Sequence, residues 1–194
     1  MRHYVIALGL LGCTQLAQAE TDPFVSMGLF FAPVSEVETD PGDSIDGSGF
    51  GARVEVGGAL HIHGEYLQSS LDDPAGDVDF TDTRLGMSYR SHMENGYILA
   101  SAEYVGLDFD ANGDDQGIGV HLGAGFNATD SVALYGRAGM ISLDDLDGPE
   151  LRIGIDGKLQ EGTSVYGEYR TMMLSADGTD VDVNDLRIGV RFSF

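Results

Sequence analysis

Oxygen-bearing side chains at alternate positions follow Leu107 and have the spacing of metal ligands. The stretch DFDANGDD offers four candidates, which are Asp108, Asp110, Asn112 and Asp114. This spacing resembles the first half of a calcium-binding loop, in which a glycine allows the sharp turn. Gly119 stands where such a loop needs a bidentate Glu, and Asp115 replaces the usual apolar residue. A solvated acidic turn is the alternative. We expect no cofactor beyond Ca²⁺ or Mg²⁺ held loosely at acidic loops.

Three histidines lie on the polar side of segments whose residues alternate. His61 and His63 fall beside Glu55 and Glu65, and His121 lies in a later segment. Imidazole next to carboxylate suits metal ligation or general-base catalysis. No Ser/His/Asp spacing typical of a nucleophile stands out. We therefore expect these histidines to pack and to form hydrogen bonds, and we expect neither a catalytic residue nor enzymatic activity.

Charged residues recur in the middle of otherwise apolar segments. Ten of them form the predicted charge network: Arg53, Glu55, Glu65, Arg84, Glu103, Arg137, Arg152, Glu168, Arg187 and Arg191. Every Lys and Arg after residue 19 occupies such an alternate position, and none lies in the acidic connections. Because unpaired charge in a confined space is costly, cations and carboxylates on one enclosed face must pair. The network either fills the interior as a salt-bridged plug or lines a narrow pore.

The elements that must position these side chains are β-strands. Apolar residues recur at every second position in ten segments, for example in LRIGVRFSF at residues 186–194. Short connections alternate with longer acidic ones, which we place at residues 32–48, 69–81, 106–116, 142–149 and 173–184. The pattern indicates neither a helix nor a domain boundary. It predicts an all-β, closed antiparallel up-and-down barrel of about ten strands, with eight strands as the alternative.

Two closed architectures fit this alternation. A soluble barrel or sandwich turns its apolar face inward, whereas a transmembrane barrel turns that face to lipid. Predicted strands of about nine to eleven residues favour the transmembrane barrel, because a tilted strand of that length crosses a bilayer. The outward aromatic residues also favour it, since interfacial aromatics form two belts. One level holds Phe50, Tyr66, Tyr104 and Tyr169, and the other holds Tyr89, Phe126, Phe192 and Phe194.

The N-terminus has the composition of a secretory signal peptide. Arg2 precedes a short apolar run, and Ala17-Gln18-Ala19 follows as a cleavage site. We expect cleavage after Ala19, which separates a signal peptide of residues 1–19 from a barrel domain of residues 20–194. In the alternative, LLGC acts as a lipobox and Cys13 is lipidated. Cys13 is the only cysteine of the chain, so cleavage after Ala19 leaves no disulfide to stabilise the fold.

The charge balance excludes one class of partner. The chain has 32 Asp and Glu against 10 Lys and Arg, which gives a formal net charge of −22. Nucleic-acid binding requires a basic surface, so we expect no nucleic-acid partner.

The N-terminal signal, the alternation of short and long connections and the terminal LRIGVRFSF together resemble a known family. They are similar to the small outer-membrane β-barrel proteins of Gram-negative bacteria, the OmpA/OmpX-like group. The resemblance implies a monomer in the cell outer membrane, in contact with its lipid and with lipopolysaccharide. It also implies a C-terminal signal for the barrel-assembly machinery, formed by Leu186, Ile188, Val190, Phe192 and Phe194.

A structural or surface-interaction role with acidic extracellular loops is the function that these features favour. Divalent ions would bridge the loop carboxylates to lipopolysaccharide phosphates, or the acidity would reflect life in high salt. Three alternatives remain open from the sequence. They are a narrow ion or solute channel, an outer-membrane enzyme and a soluble periplasmic barrel.

Overall fold

Ten long strands make up the computed structural model, which describes residues 24–39, 43–74, 76–109, 113–176 and 179–194. The strands are β1 (Phe24–Thr39), β2 (Asp43–Gly57), β3 (Leu60–Asp72), β4 (Val78–Met93), β5 (Gly96–Phe109), β6 (Gly113–Asn127), β7 (Val132–Leu143), β8 (Asp147–Gln160), β9 (Thr163–Ala176) and β10 (Thr179–Ser193). The predicted signal peptide, its cleavage site and Cys13 lie outside the described residues. Within the described ranges, no helix has the length and apolar character needed to cross a membrane.

The sheet closes on itself. Each strand pairs antiparallel with its neighbours in the chain, and β1 also pairs with β10, where Leu29 stands opposite Val190. Closure leaves no strand edge unpaired. The predicted up-and-down barrel is therefore confirmed, with ten strands rather than eight.

One irregularity interrupts β1. The pairing shifts between Phe31 and Val34 on the β10 side and between Ala32 and Ser35 on the β2 side. Pro33 lies at this point, and proline has no N–H to donate to the ladder. The bulge accommodates Pro33 and allows β1 to continue to Thr39.

The outer face is apolar over the half of the barrel that includes Phe24 and Phe194. We call this end, with connections at residues 58–59, 94–95, 128–131 and 161–162, the turn end, and the opposite end the collar end. Leu29, Leu85 and Ile188 are more than half exposed, and Leu122 reaches 72%. Such exposure is unfavourable in water, whereas a lipid-facing surface requires it.

The prediction of long connections at the collar end is wrong. The strands are 12 to 16 residues long, and the connections at this end shrink to residues 40–42, 73–77, 110–112, 144–146 and 177–178. Most of the acidic sequence that the prediction assigned to loops continues the strands beyond the apolar outer face.

The alternation inverts where the strands leave the apolar outer face. On β3 the outward residues change from apolar Ile62 to polar Gln68 and Asp72, while the inward residues change from Glu65 to Leu67. We name the outward acids of this extension the acidic collar; they are Glu36, Glu38, Asp46, Asp72, Asp79, Asp108, Asp114, Asp147, Asp180 and Asp182. We name its buried apolar interior the apolar plug; it comprises Val37, Leu67, Leu71, Phe80, Val105, Leu107, Ile141, Leu143, Met172, Leu174 and Val183.

Candidate functional site

The lumen concentrates the charged residues of the strands. Since residues i and i+2 of a strand point to the same face, one register places all ten residues of the predicted charge network inside the barrel. Six of them are buried: Glu65, Arg84, Glu103, Arg152, Glu168 and Arg187. The other four are half-buried and lie nearer the turn end: Arg53, Glu55, Arg137 and Arg191.

An acid two residues before an arginine recurs on four strands. The pairs are Asp82–Arg84, Glu150–Arg152, Glu168–Arg170 and Asp185–Arg187. Arg84 Nε donates to Asp82 at 3.0 Å, and Arg152 Nε donates to Glu150 at 2.5 Å. The predicted network omitted Asp82, Glu150, Arg170 and Asp185. The repeated acid-x-Arg pattern is the sequence signal that identifies them.

Glu65 is the centre of the network. Arg53 lies directly opposite it on β2 and donates to it at 2.6 Å, and Arg84 lies directly opposite it on β4. Arg152 reaches Glu65 from the far wall at 3.0 Å, and Arg187 donates to it at 2.8 Å. One carboxylate therefore joins strands from several sides of the barrel.

The opposite wall carries cations that face one another. Arg137 stands opposite Arg152, and Arg152 stands opposite Arg170, in a row across β7, β8 and β9. Like charges in this arrangement repel unless other groups compensate them. The compensating carboxylates reach across the lumen or along the strand: Glu103 lies 3.0 Å from Arg137, and Arg170 pairs with both Asp82 and Asp185.

Glu103, His121 and Glu150 bring three potential metal-ligand atoms within 4.8 Å of one another. Arg84 already donates to Glu103 at 2.9 Å and to Glu150 at 2.6 Å, and Arg137 also binds Glu103. Because guanidinium groups neutralise both carboxylates, a divalent cation here would meet uncompensated positive charge. These contacts make the cluster part of the ion-pair network.

Two of the four predicted calcium ligands lie in the collar. Asp108 and Asp114 stand opposite each other on β5 and β6, and both are exposed. Asp110 and Asn112 lie outside the described residues. Asp115 instead faces inward, where its Oδ1 accepts hydrogen bonds from the backbone N–H groups of Asp144 at 2.8 Å and Asp145 at 3.2 Å.

The predicted assembly signal follows the outer face of β10 and ends at Phe194, one residue beyond the strand. Leu186, Ile188, Phe192 and Phe194 are exposed there, and Val190 is half-buried. The backbone N–H of Phe194 donates to the carbonyl of Val25 at 2.9 Å, so the last residue takes part in the closure between β1 and β10.

A cavity of about 100 Å³ lies among the network residues towards the turn end. It opens towards a recess of about 340 Å³ at the ends of the strands, and both are lined by Glu55, Arg90, Tyr97, Tyr135 and Arg191. His63, Ser88 and Glu103 also line the cavity. The structure brings this serine to His63, a contact that the sequence analysis missed because the two residues lie on different strands.

Comparison with known proteins agrees with this architecture. The family model described as "Outer membrane protein beta-barrel domain" matches residues 5–194. A search of curated protein sequences gives no significant match. Among solved structures, an outer membrane channel from Pseudomonas putida F1 has a TM-score of 0.55 at 8% identity, with 93% of this chain and 100% of that chain covered.

Two surface proteins also align with the barrel. Neisserial surface protein A has a TM-score of 0.46 at 14% identity, over 89% of this chain and 97% of its own. The attachment invasion locus protein Ail of Yersinia pestis has a TM-score of 0.44 at 15% identity, over 89% of this chain and 99% of its own. These values are too low to assign a function.

The closed sheet, the apolar outer face and the polar lumen are the features that a barrel needs in order to cross a bilayer. The family match extends over nearly the whole chain. The chain therefore belongs to the outer-membrane β-barrel domain family, and its place is the cell outer membrane.

Proposed function

We propose that this outer-membrane barrel has a structural and surface-interaction role and that its lumen does not conduct ions. The observation that carries the proposal is a layer of arginines across the lumen: Arg84 is 2% exposed, and Arg170 and Arg187 are 0% exposed. Each of them contacts two or more acids, so none moves aside without leaving a buried charge unpaired. The proposed role requires no enzymatic activity.

The apolar plug supports a closed lumen independently. Leu67, Leu71, Phe80 and Met172 are all fully buried on the collar side of the arginine layer. An ion that passed the arginines would next meet an interior that is mostly apolar, with Ser69 and Asp115 among its few buried polar side chains. Such an interior is unfavourable for a charged species. Two different barriers therefore lie in series along the barrel axis.

Planar-bilayer recording of the refolded protein tests the closed lumen. We expect no conductance steps above the background of the bare bilayer. Folding of the barrel is checked separately on an SDS gel. A folded barrel migrates differently before and after heating. Reproducible single-channel steps from inserted protein would contradict the proposal and favour the channel alternative.

We further propose that the collar binds divalent cations and, through them, lipopolysaccharide phosphates. The register supports this, because Asp46 stands opposite both Glu36 and Asp72, and Asp108 stands opposite Asp114. Acids directly opposite each other repel, and a shared Ca²⁺ or Mg²⁺ relieves that repulsion. Binding to lipopolysaccharide requires that the collar faces the cell exterior. The turn end then faces the periplasm, as the short turns of such barrels do.

Thermal unfolding in the presence of Ca²⁺ tests cation binding by the collar. Ca²⁺ should raise the melting temperature of the refolded barrel, and EDTA should reverse the effect. Asp46→Asn should reduce the increase, since Asp46 has two acidic neighbours, whereas Asp156→Asn at the turn end should leave it unchanged. An equal response in both variants would show that the collar does not supply the site.

We also propose that β10 presents its five outward apolar residues to the barrel-assembly machinery and that the finished protein is a monomer in lipid. Phe194 supports the first point, because its side chain is 79% exposed while its backbone closes the barrel. Phe194→Ala should slow machine-assisted assembly and leave the stability of the refolded barrel nearly unchanged. Assembly at the wild-type rate would contradict this assignment.

A further inference from the structure

The lumen holds a serine that is placed for nucleophilic attack. Oγ of Ser88 lies 3.0 Å from Nδ1 of His63, and Nε2 of the same ring lies 2.9 Å from Oε2 of Glu103. We propose that Ser88 is a nucleophile, with His63 as its base and Glu103 as the positioning residue, and that it is acylated by short-chain carboxylic esters. This activity goes beyond the surface role and does not depend on it.

The hydrogen-bond partners fix which ring nitrogen of His63 holds the proton. An ionised carboxylate only accepts, so Nε2 of His63 donates to Glu103. In the neutral ring Nδ1 is then an acceptor, and the hydroxyl of Ser88 donates to it. A base that accepts from the nucleophile and is oriented by a carboxylate is the arrangement that activates a serine.

Two features hold the chain of hydrogen bonds in place. Arg84 and Arg137 bind Oε1 of Glu103 at 2.9 Å and 3.0 Å, which turns Oε2 towards the imidazole. Oε2 also accepts a longer hydrogen bond from Arg137 at 3.5 Å. Gly86 faces the ring, and a Cβ there would lie 2.8 Å from Cε1 of His63 and 2.6 Å from Cβ of Glu103. The absent side chain at Gly86 therefore makes the space in which His63 reaches Glu103.

A substrate has both a path and a charge to meet. The cavity around Ser88 opens towards the recess at the turn end, and its volume of about 100 Å³ restricts the site to small molecules. Arg90 lies two residues after Ser88 on the same strand face and lines the same cavity. Its buried Nε–H has no hydrogen-bond partner among the described residues, so it is available to a developing oxyanion.

The chemistry is an ordinary acyl transfer. Oγ of Ser88 bonds to the ester carbonyl carbon while its proton passes to Nδ1 of His63. The tetrahedral intermediate expels the alcohol, which takes that proton, and the acyl group remains on Ser88. Water then attacks the acyl-serine with His63 again as the base, and the carboxylic acid leaves.

Methanesulfonyl fluoride, a small serine reagent, tests the proposal on the refolded full-length barrel. Peptide mass spectrometry should find the sulfonyl group on Ser88, with fluoride as the leaving group. Ser101 is the matched internal control, since it stands directly opposite Ser88, is also buried and has no hydrogen-bond partner for its Oγ among the described residues. It should stay unmodified. His63→Gln should slow modification of Ser88 about 100-fold or more, the usual contribution of a general base.

Variants separate reactivity from access and from folding. With Cys13 replaced, so that no other thiol is present, Ser88→Cys should react with a small methanethiosulfonate. This reaction would show that the cavity is open to the reagent. Glu103→Gln should slow sulfonylation of Ser88, yet leave the thiol of Ser88→Cys reactive in the same background. Heat-dependent gel migration checks that each variant is folded. An unmodified Ser88, with a reactive or an unreactive cysteine in its place, would overturn the proposal, as would equal modification of Ser88 and Ser101.

Discussion

Individual arginines determine how the interior is held together. Arg187 is fully buried and binds Glu65 at 2.8 Å and Asp185 at 3.2 Å. Its guanidinium also lies 5.0 Å above the ring of Phe30. Burial of a charge is unfavourable unless partners compensate it, and these contacts supply the compensation. The contribution of each arginine to stability is therefore measured best by replacing that arginine while its acidic partners remain.

Arg187→Met should destabilise the barrel by about 3–5 kcal/mol, because Glu65 and Asp185 would each lose a buried partner. Urea unfolding in detergent micelles, followed by tyrosine fluorescence since the chain has no Trp, measures the change. Lys158→Met, at an exposed position near the turn end, is the control and should change stability by less than about 0.5 kcal/mol. Equal effects of the two substitutions would show that the buried network contributes nothing specific.

At the scale of the strand, the two faces exchange character along a single element. Between the turn end and the level of Tyr66, the outer face contacts lipid. Between Tyr66 and the collar end, the outer face contacts water. The apolar residues therefore lie outside in the first part and inside in the second. Each strand obeys one rule, which is that apolar side chains avoid water.

This inversion explains what the sequence analysis predicted and what it missed. The alternation of apolar residues predicted ten strands and their inward charges. It is unbroken in the membrane part of the strands, for example from Phe50 to Val56 and from Leu186 to Phe194. The sequence pattern predicted a loop at residues 106–116. Leu107 and Asp108 continue the alternation, but here the apolar residue faces inward and the polar residue faces outward. A strand prediction that requires apolar residues on one face throughout therefore stops at this point.

The site was less predictable than the fold. Most of the charge network could be predicted, because its residues alternate with apolar residues along their own strands and therefore share one face. The contact between Ser88 and His63 depends on cross-strand register and on the space at Gly86, neither of which has a local sequence signal.

Leu107→Ala tests whether the collar is folded strand rather than loop. Leu107 is 1% exposed within the apolar plug, so its truncation should cost about 2–5 kcal/mol in unfolding free energy. Chemical denaturation of the refolded protein measures this. Residues in a flexible loop tolerate such a change, and a difference below about 0.5 kcal/mol would favour the loop.

Leu122→Arg tests the lipid-facing part of β6. Leu122 lies in the middle of the apolar outer face, where an arginine should cost about 2–4 kcal/mol in a bilayer. Asp114→Arg, on the same outer face of the same strand but in the collar, should have an effect within about 0.5 kcal/mol. Folding equilibria in lipid vesicles compare the two. Similar costs at both positions would place the membrane boundary elsewhere.

The whole molecule consists of two barrel parts that share one axis. The part near the turn end is a membrane barrel with a charged, ion-paired lumen, and the collar part is a water-exposed barrel with an apolar plug. The same ten strands run through both parts, so the two parts are one continuous barrel. A barrel whose outward acids lie beyond its apolar outer face is suited to contacts at the cell surface.

A cysteine scan along β6 tests this central claim most directly. Cys13 is replaced first, because it is the only native cysteine, and single cysteines from Asp114 to Phe126 are labelled with a fluorophore in vesicles. Brominated lipid should quench the labels at 118, 120, 122, 124 and 126, and an aqueous quencher should reach those at 114 and 116. Lipid quenching at 114 and 116 as strong as that at 122, or alternation with the opposite phase, would contradict the account.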